Sequence, residues 1–205
     1  NITIYRGENM IKTTSILIDE LHRYSNPACK IGRMVKNGEI FPIVKGLYET
    51  DRTTSGYLLA GSIYGPSYLS FEFALSYYSL IPEAVYVFTS ATFEKKKSKS
   101  YDTLFGKFYY RDVPSSVFPL EVKLCNENSY DFMIASPEKA LCDMLYAKPP
   151  VKNQRELKSL LFEDMRIDRT EFKHLDKGIM AELALKYRCT NLKLFAAVLR
   201  RDRYE

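Results

Sequence analysis

Residues 26–50 admit few arrangements. Asn26-Pro27 places a good helix N-cap before the residue best suited to the first helical position. Gly38 stops the helix that follows at about Asn37. Ile40–Val44 and Leu47–Thr50 are then two β-rich runs separated only by Lys45-Gly46, the pattern of a tight hairpin. Pro42 has no N–H to give a ladder, so that side of its strand must face solvent. Upstream, a helix capped by Thr14 or Ser15 carries Leu17, Leu21 and Tyr24 along one face. Helix, basic helix, hairpin is the order of a winged-helix unit, here assigned to residues 10–52.

The second helix is amphipathic. At 100° per residue, Ala28, Ile31 and Val35 share one side, with Met34 at its edge. Lys30, Arg33 and Asn37 oppose them, and Lys36 flanks that group. Lysine and arginine neutralise phosphates, while Arg and Asn can also read base edges in a major groove. The candidate DNA contacts are therefore Lys30, Arg33, Lys36 and Asn37, with Lys45 at the hairpin tip reaching flanking backbone. Winged units of this kind also dock proteins, so a protein-interaction module is the competing reading.

The polar stretch Asp51–Gly56 marks a boundary, and residues 57–205 form a second, larger domain. Its expected elements are a short helix over Tyr57–Tyr64, a break at Gly65-Pro66, a helix over Ser70–Leu80 and a strand over Ala84–Thr92. Hairpins follow around Gly106 and around Asn126–Ser129. Ser136-Pro137-Glu138 opens a helix with a cap, a proline and a dipole-favoured acid, and Ala140, Leu141, Met144 and Leu145 give it a buried stripe. Helices over Gln154–Asp164, Asp176–Tyr187 and Asn191–Arg200 complete a helical C-terminal part, and Asp168 with Glu171 resembles a capping box. The expected fold class is α+β, with three hairpin-like strand pairs or their equivalent in one antiparallel sheet.

Sixteen Tyr and twelve Phe with no Trp require a real core. The net charge of +5 is only mildly basic, although residues 93–111 and the last twenty residues each hold six Lys or Arg against two acids. Cys29, Cys125, Cys142 and Cys189 form no CxxC pair, and His22 and His174 are isolated, so neither a metal nor another cofactor is expected. Scattered thiols and the lack of a membrane-length apolar run suit a cytoplasmic protein. Met10 is a candidate start, with Asn1–Asn9 a leader. Asp112, Glu121 and Lys123 follow the D…E-x-K order of Mg²⁺-dependent nucleases, but the match is short and common. With no phosphate loop, GxSxG or HExxH, the chain is expected not to be an enzyme.

Lys45-Gly46-Leu47-Tyr48, Gly65-Pro66-Ser67-Tyr68-Leu69-Ser70 followed by Ala74-Leu75, Val87-Phe88-Thr89, and Ser136-Pro137-Glu138-Lys139-Ala140-Leu141-Cys142-Asp143 together resemble AbiEi-type antitoxins. The resemblance runs over about residues 14–148. It implies a bacterial two-gene module whose partner is a nucleotidyltransferase toxin, which the antitoxin need not touch. It also implies repression of its own promoter through the winged unit and antitoxin activity in the C-terminal domain. A stand-alone regulator without a toxin gene is the alternative. Many family members carry a further helix before the basic one, whereas here only Ser25 and Asn26 separate the first helix from Pro27.

Overall fold

The computed structural model describes residues 10–201, and Arg201 by its backbone alone. The reading of Met10 as a start and Asn1–Asn9 as a leader concerns residues outside that range.

The first elements are β1 (Ile11–Thr13), α1 (Thr14–Glu20), α2 (Pro27–Lys36), β2 (Phe41–Val44) and β3 (Leu47–Glu49). Thr13, not Thr14 or Ser15, caps α1, because its hydroxyl accepts from Ile16 N at 3.3 Å. Helix α2 is bounded as its sequence dictates. Asn26 Oδ1 accepts from Cys29 N at 3.0 Å, and Gly38 takes the left-handed conformation just past the end, with φ of 69°. The strands form a three-stranded antiparallel sheet in the order β1-β3-β2, which leaves Pro42 on an edge strand. Gly46 turns the hairpin at φ of 84°, and its carbonyl accepts from Thr14 N.

Period-two alternation explains how this sheet is used. Tyr48 packs on the helices with buried Leu17, Ile31 and Ile40 and with Leu21, Met34 and Val35. Its neighbour Leu47, with Ile11, Ile43 and Val44, instead joins the large core formed mostly by residues from Leu58 onward. Glu49 is wholly buried at this junction, and its Oε1 accepts from Thr50 N at 2.7 Å and Asp51 N at 3.1 Å. Those bonds fix the direction in which the chain leaves β3.

A 3₁₀ turn over Gly56–Leu59 leads into α3 (Ala60–Ile63), β4 (Tyr68–Leu69) and α4 (Phe71–Tyr77). Five strands follow, β5 (Val87–Thr92), β6 (Lys99–Thr103), β7 (Gly106–Asp112), β8 (Val122–Glu127) and β9 (Tyr130–Ala135). They are succeeded by α5 (Pro137–Ala147), α6 (Gln154–Ser159), a π-helical turn (Leu160–Asp164), α7 (Arg169–His174), α8 (Lys177–Lys186) and α9 (Thr190–Arg201). The fold is mixed α and β, but the expected antiparallel sheet is corrected in one respect. The β2–β3 hairpin stands in the first, small sheet, apart from the larger one as expected, and that larger sheet, ordered β6-β7-β5-β4-β9-β8, is mixed. Hairpins β6–β7 and β8–β9 are antiparallel as expected, whereas β5 runs parallel to β7 and β4 parallel to β9.

Helices α4 and α5 pack together beside this sheet, with α8 and α9 packed on α5. Tyr110 crosses to the start of α3, where its hydroxyl donates to Ala60 O at 2.7 Å. The β8–β9 turn is tighter than the four-residue loop expected, with Asn128 and Ser129 both at positive φ. Helix α4 ends at Tyr77, short of the expected Leu80, and Ser79 takes φ of 58° just beyond it.

Candidate nucleic-acid interface

Helix α2 buries only Ile31 completely. Val35 and Met34 are half-buried, but Ala28, assigned to the apolar side, is exposed. The buried seam is therefore narrower than the wheel suggested, and the solvent face is wider. Along it lie Ala28, Cys29, Gly32, Arg33, Lys36 and Asn37. A Cβ added at Gly32 would meet nothing within 4 Å, so the backbone there is open to close approach.

The five candidate residues fall into two groups. Arg33, Lys36 and Lys45 are exposed, and none forms an ion pair among the described residues. Arg33 is steadied only by a long contact from Nε to Cys29 O, 3.5 Å. Lys30 and Asn37 are engaged within the protein. Lys30 is half-buried, 3.9 Å from Glu39 Oε2 and 5.7 Å from the centroid of the Tyr24 ring. Asn37 Nδ2 donates to Glu39 Oε1 at 3.0 Å. Glu39, which the sequence reading passed over, thus partly neutralises one side of the basic face. Arg23, exposed in the α1–α2 turn and without an ion pair among the described residues, adds a cation on the approach to α2.

The nuclease trio is not assembled. Asp112 ends β7 and Lys123 lies on β8, with β5, β4 and β9 between them. Four inter-strand steps of about 4.8 Å separate them by roughly 19 Å. Asp112 has a structural task, accepting from Thr92 Oγ1 at 2.6 Å and from Lys96 N at 2.7 Å. Among the described residues no group of three or more His, Cys, Asp or Glu is placed to hold a metal ion.

A second polar cluster lies in the core, built from the motif residues around β4 and α5. Lys139 and Asp143, one helical turn apart, are both fully buried. Asp143 Oδ1 accepts from Lys139 Nζ at 3.0 Å and from the Tyr187 hydroxyl at 2.5 Å. Its Oδ2 accepts from Ser70 Oγ at 2.7 Å and from the Tyr68 hydroxyl at 3.0 Å. Lys139 Nζ also donates to the Tyr187 oxygen. Burial first, and then the facing carboxylate, raise the Tyr68 and Tyr187 pKa values well above the ordinary phenol range. The cluster is buried, and it ties β4, α5 and the end of α8 together. From sequence this segment reads as a well-capped helix with a buried stripe, carrying one of the resemblance motifs but no assigned pair. The available signal was an i, i+4 Lys–Asp pair inside an otherwise apolar run.

Compared with known proteins, the chain matches no family model and no curated sequence.

Proposed function

We propose that the chain is a DNA-binding regulator of the AbiEi antitoxin type, with residues 10–52 acting as a winged-helix unit whose α2 enters the major groove. The carrying observation is the exposed row of Arg33 and Lys36 on α2, with Lys45 at the tip of the adjoining hairpin. The element order β1-α1-α2-β2-β3, with β3 central in its sheet, supports the winged reading. The antitoxin reading is supported by its two motif segments meeting on one carboxylate, Tyr68 and Ser70 from the first and Lys139 from the second, all on Asp143. In this reading the protein is cytoplasmic and not an enzyme, binds its own promoter through α2, and counteracts a nucleotidyltransferase toxin through residues 57–205 without needing to touch it. Among the described residues no helix is long and apolar enough to cross a membrane.

Co-expression separates the two activities. The full chain rescues growth against the nucleotidyltransferase encoded next to its gene and represses a reporter driven by its upstream region. The double variant Arg33→Ala/Lys36→Ala loses repression and keeps rescue. Loss of both by that variant, with the fold intact, contradicts the division of labour. Protein docking is the second reading, favoured by Ile16 and Ile18, each 44% exposed on α1. It gains if no upstream fragment is bound even at low salt.

A further inference from the structure

Helix α6, the π-helical turn after it and the start of α7 border an open surface groove of about 510 Å³ that is remote in sequence from α2. Its walls are Gln154, Arg155, Lys158, Ser159, Glu163 and Arg169. Arg155, Lys158 and Ser159 stand at i, i+3 and i+4 on α6, so they share one helical face. Arg169 approaches from α7, and its guanidinium lies 4.1 Å from the centroid of the Phe162 ring. That stacking limits the conformations of a long side chain and leaves the edge of the guanidinium free to donate. Arg155, Lys158 and Arg169 form no ion pair among the described residues. The single acid in the walls, Glu163, accepts from Ser159 Oγ at 2.5 Å. Three cations against one tethered carboxylate leave the concavity with an excess of two positive charges.

We infer that this groove binds a phosphorylated small molecule, taking the dianionic phosphate between Arg155, Lys158 and Arg169. Arg169 is held ready for a bidentate contact, while Arg155 and Lys158 supply charge from α6. A compact dianion matches the excess charge. The groove also has room beyond the phosphate, enough for the body of a mononucleotide. A six-residue α6 contributes through its side chains and not through its helix end.

Titration of the full chain at low salt, followed by isothermal calorimetry, is the test, with inorganic phosphate and adenosine monophosphate as separate probes. Both bind, the nucleotide more tightly, and Arg169→Gln weakens each at least fivefold. Arg155→Gln/Lys158→Gln weakens them tenfold or more with an unchanged melting temperature. Arg33→Ala/Lys36→Ala leaves phosphate binding unaltered, so failure of the α2 reading would not disturb this result. Phosphate binding without a preference for the nucleotide restricts the site to a free phosphate, within the same chemistry. No heat with either probe overturns the proposal. So does the finding that Arg155→Gln/Lys158→Gln weakens duplex DNA binding while leaving phosphate binding intact, because the cations then serve a nucleic acid.

Discussion

Lys139 Nζ lies 3.0 Å from Asp143 Oδ1, one turn along α5, and neither side chain is exposed at all. Both oxygens of Asp143 accept two hydrogen bonds each, so the carboxylate is fully satisfied by groups from three elements. Removing Asp143 leaves Lys139 buried without its carboxylate. Asp143→Ala therefore destabilises the fold by about 3–5 kcal/mol, the cost of breaking a buried ion pair. Tyr187→Phe costs less, about 1–3 kcal/mol, because Lys139 still faces Asp143. Urea unfolding of the two variants checks the order, and equal midpoints would contradict it.

The buried tyrosines make the protein sensitive to alkali. Burial raises the pKa of Tyr68, Tyr110 and Tyr187, with Asp143 adding to the rise for Tyr68 and Tyr187, and the less buried Tyr78 is pushed up to about 12. In the unfolded chain these phenols titrate near 10. Above that pH the unfolded state holds fewer protons than the folded one, so stability falls as pH rises. Below it, these groups impose no pH dependence. Each fully buried tyrosine contributes a slope of roughly 1.4 kcal/mol per pH unit, and Tyr68, Tyr110 and Tyr187 together roughly 4 kcal/mol per unit. Tyrosinate absorbance and circular dichroism are expected to change together between about pH 11 and 12. Gradual ionisation with the fold intact would show these hydroxyls to be accessible.

Two glycines respond oppositely to a methyl group. A Cβ at Gly56 would collide with the Phe88 ring and the Phe105 carbonyl, so Gly56→Ala costs about 1–3 kcal/mol or more through overpacking. At Gly32 nothing lies within 4 Å and the backbone is helical, so Gly32→Ala stabilises α2 by about 0.5–1 kcal/mol. Thermal melts decide both signs. The same Gly32→Ala change places a methyl on the face proposed for DNA, so a drop in DNA affinity accompanied by a higher melting temperature would mark that backbone as a contact.

Much of the fold was legible wherever the signal was local. Asn26, Pro27 and Gly38 bound α2 as written, Ser136 caps α5, and Asp168 caps α7 by accepting from Thr170 N and Glu171 N. Strands β1 and β4, three and two residues long, carry no periodicity to detect. The parallel pairs β5–β7 and β4–β9 depend on crossovers that no local pattern encodes. In the candidate interface, helical spacing grouped Arg33 and Lys36 correctly on the wet side. It missed Glu39, which lies beyond the helix and draws Lys30 and Asn37 back towards the protein. Lys139 and Asp143 were missed because a charged i, i+4 pair ordinarily marks a solvated face. Only the three-element packing around them reverses that meaning.

If the exposed cations of α2 hold DNA, their removal changes how binding responds to salt. Fluorescence anisotropy with the upstream duplex and a scrambled duplex, over roughly 50 to 200 mM salt, gives the slope for each variant. Lys36→Ala weakens both duplexes alike and lowers the slope by roughly one unit, as loss of a phosphate contact requires. Arg33→Ala costs about 1–3 kcal/mol on the upstream duplex and narrows the gap to the scrambled one. Lys30→Ala has a smaller effect than Lys36→Ala, because Lys30 already faces Glu39. If all three variants bind both duplexes like the wild type, with the same salt slope, α2 is a solvated face and the DNA-binding account is wrong.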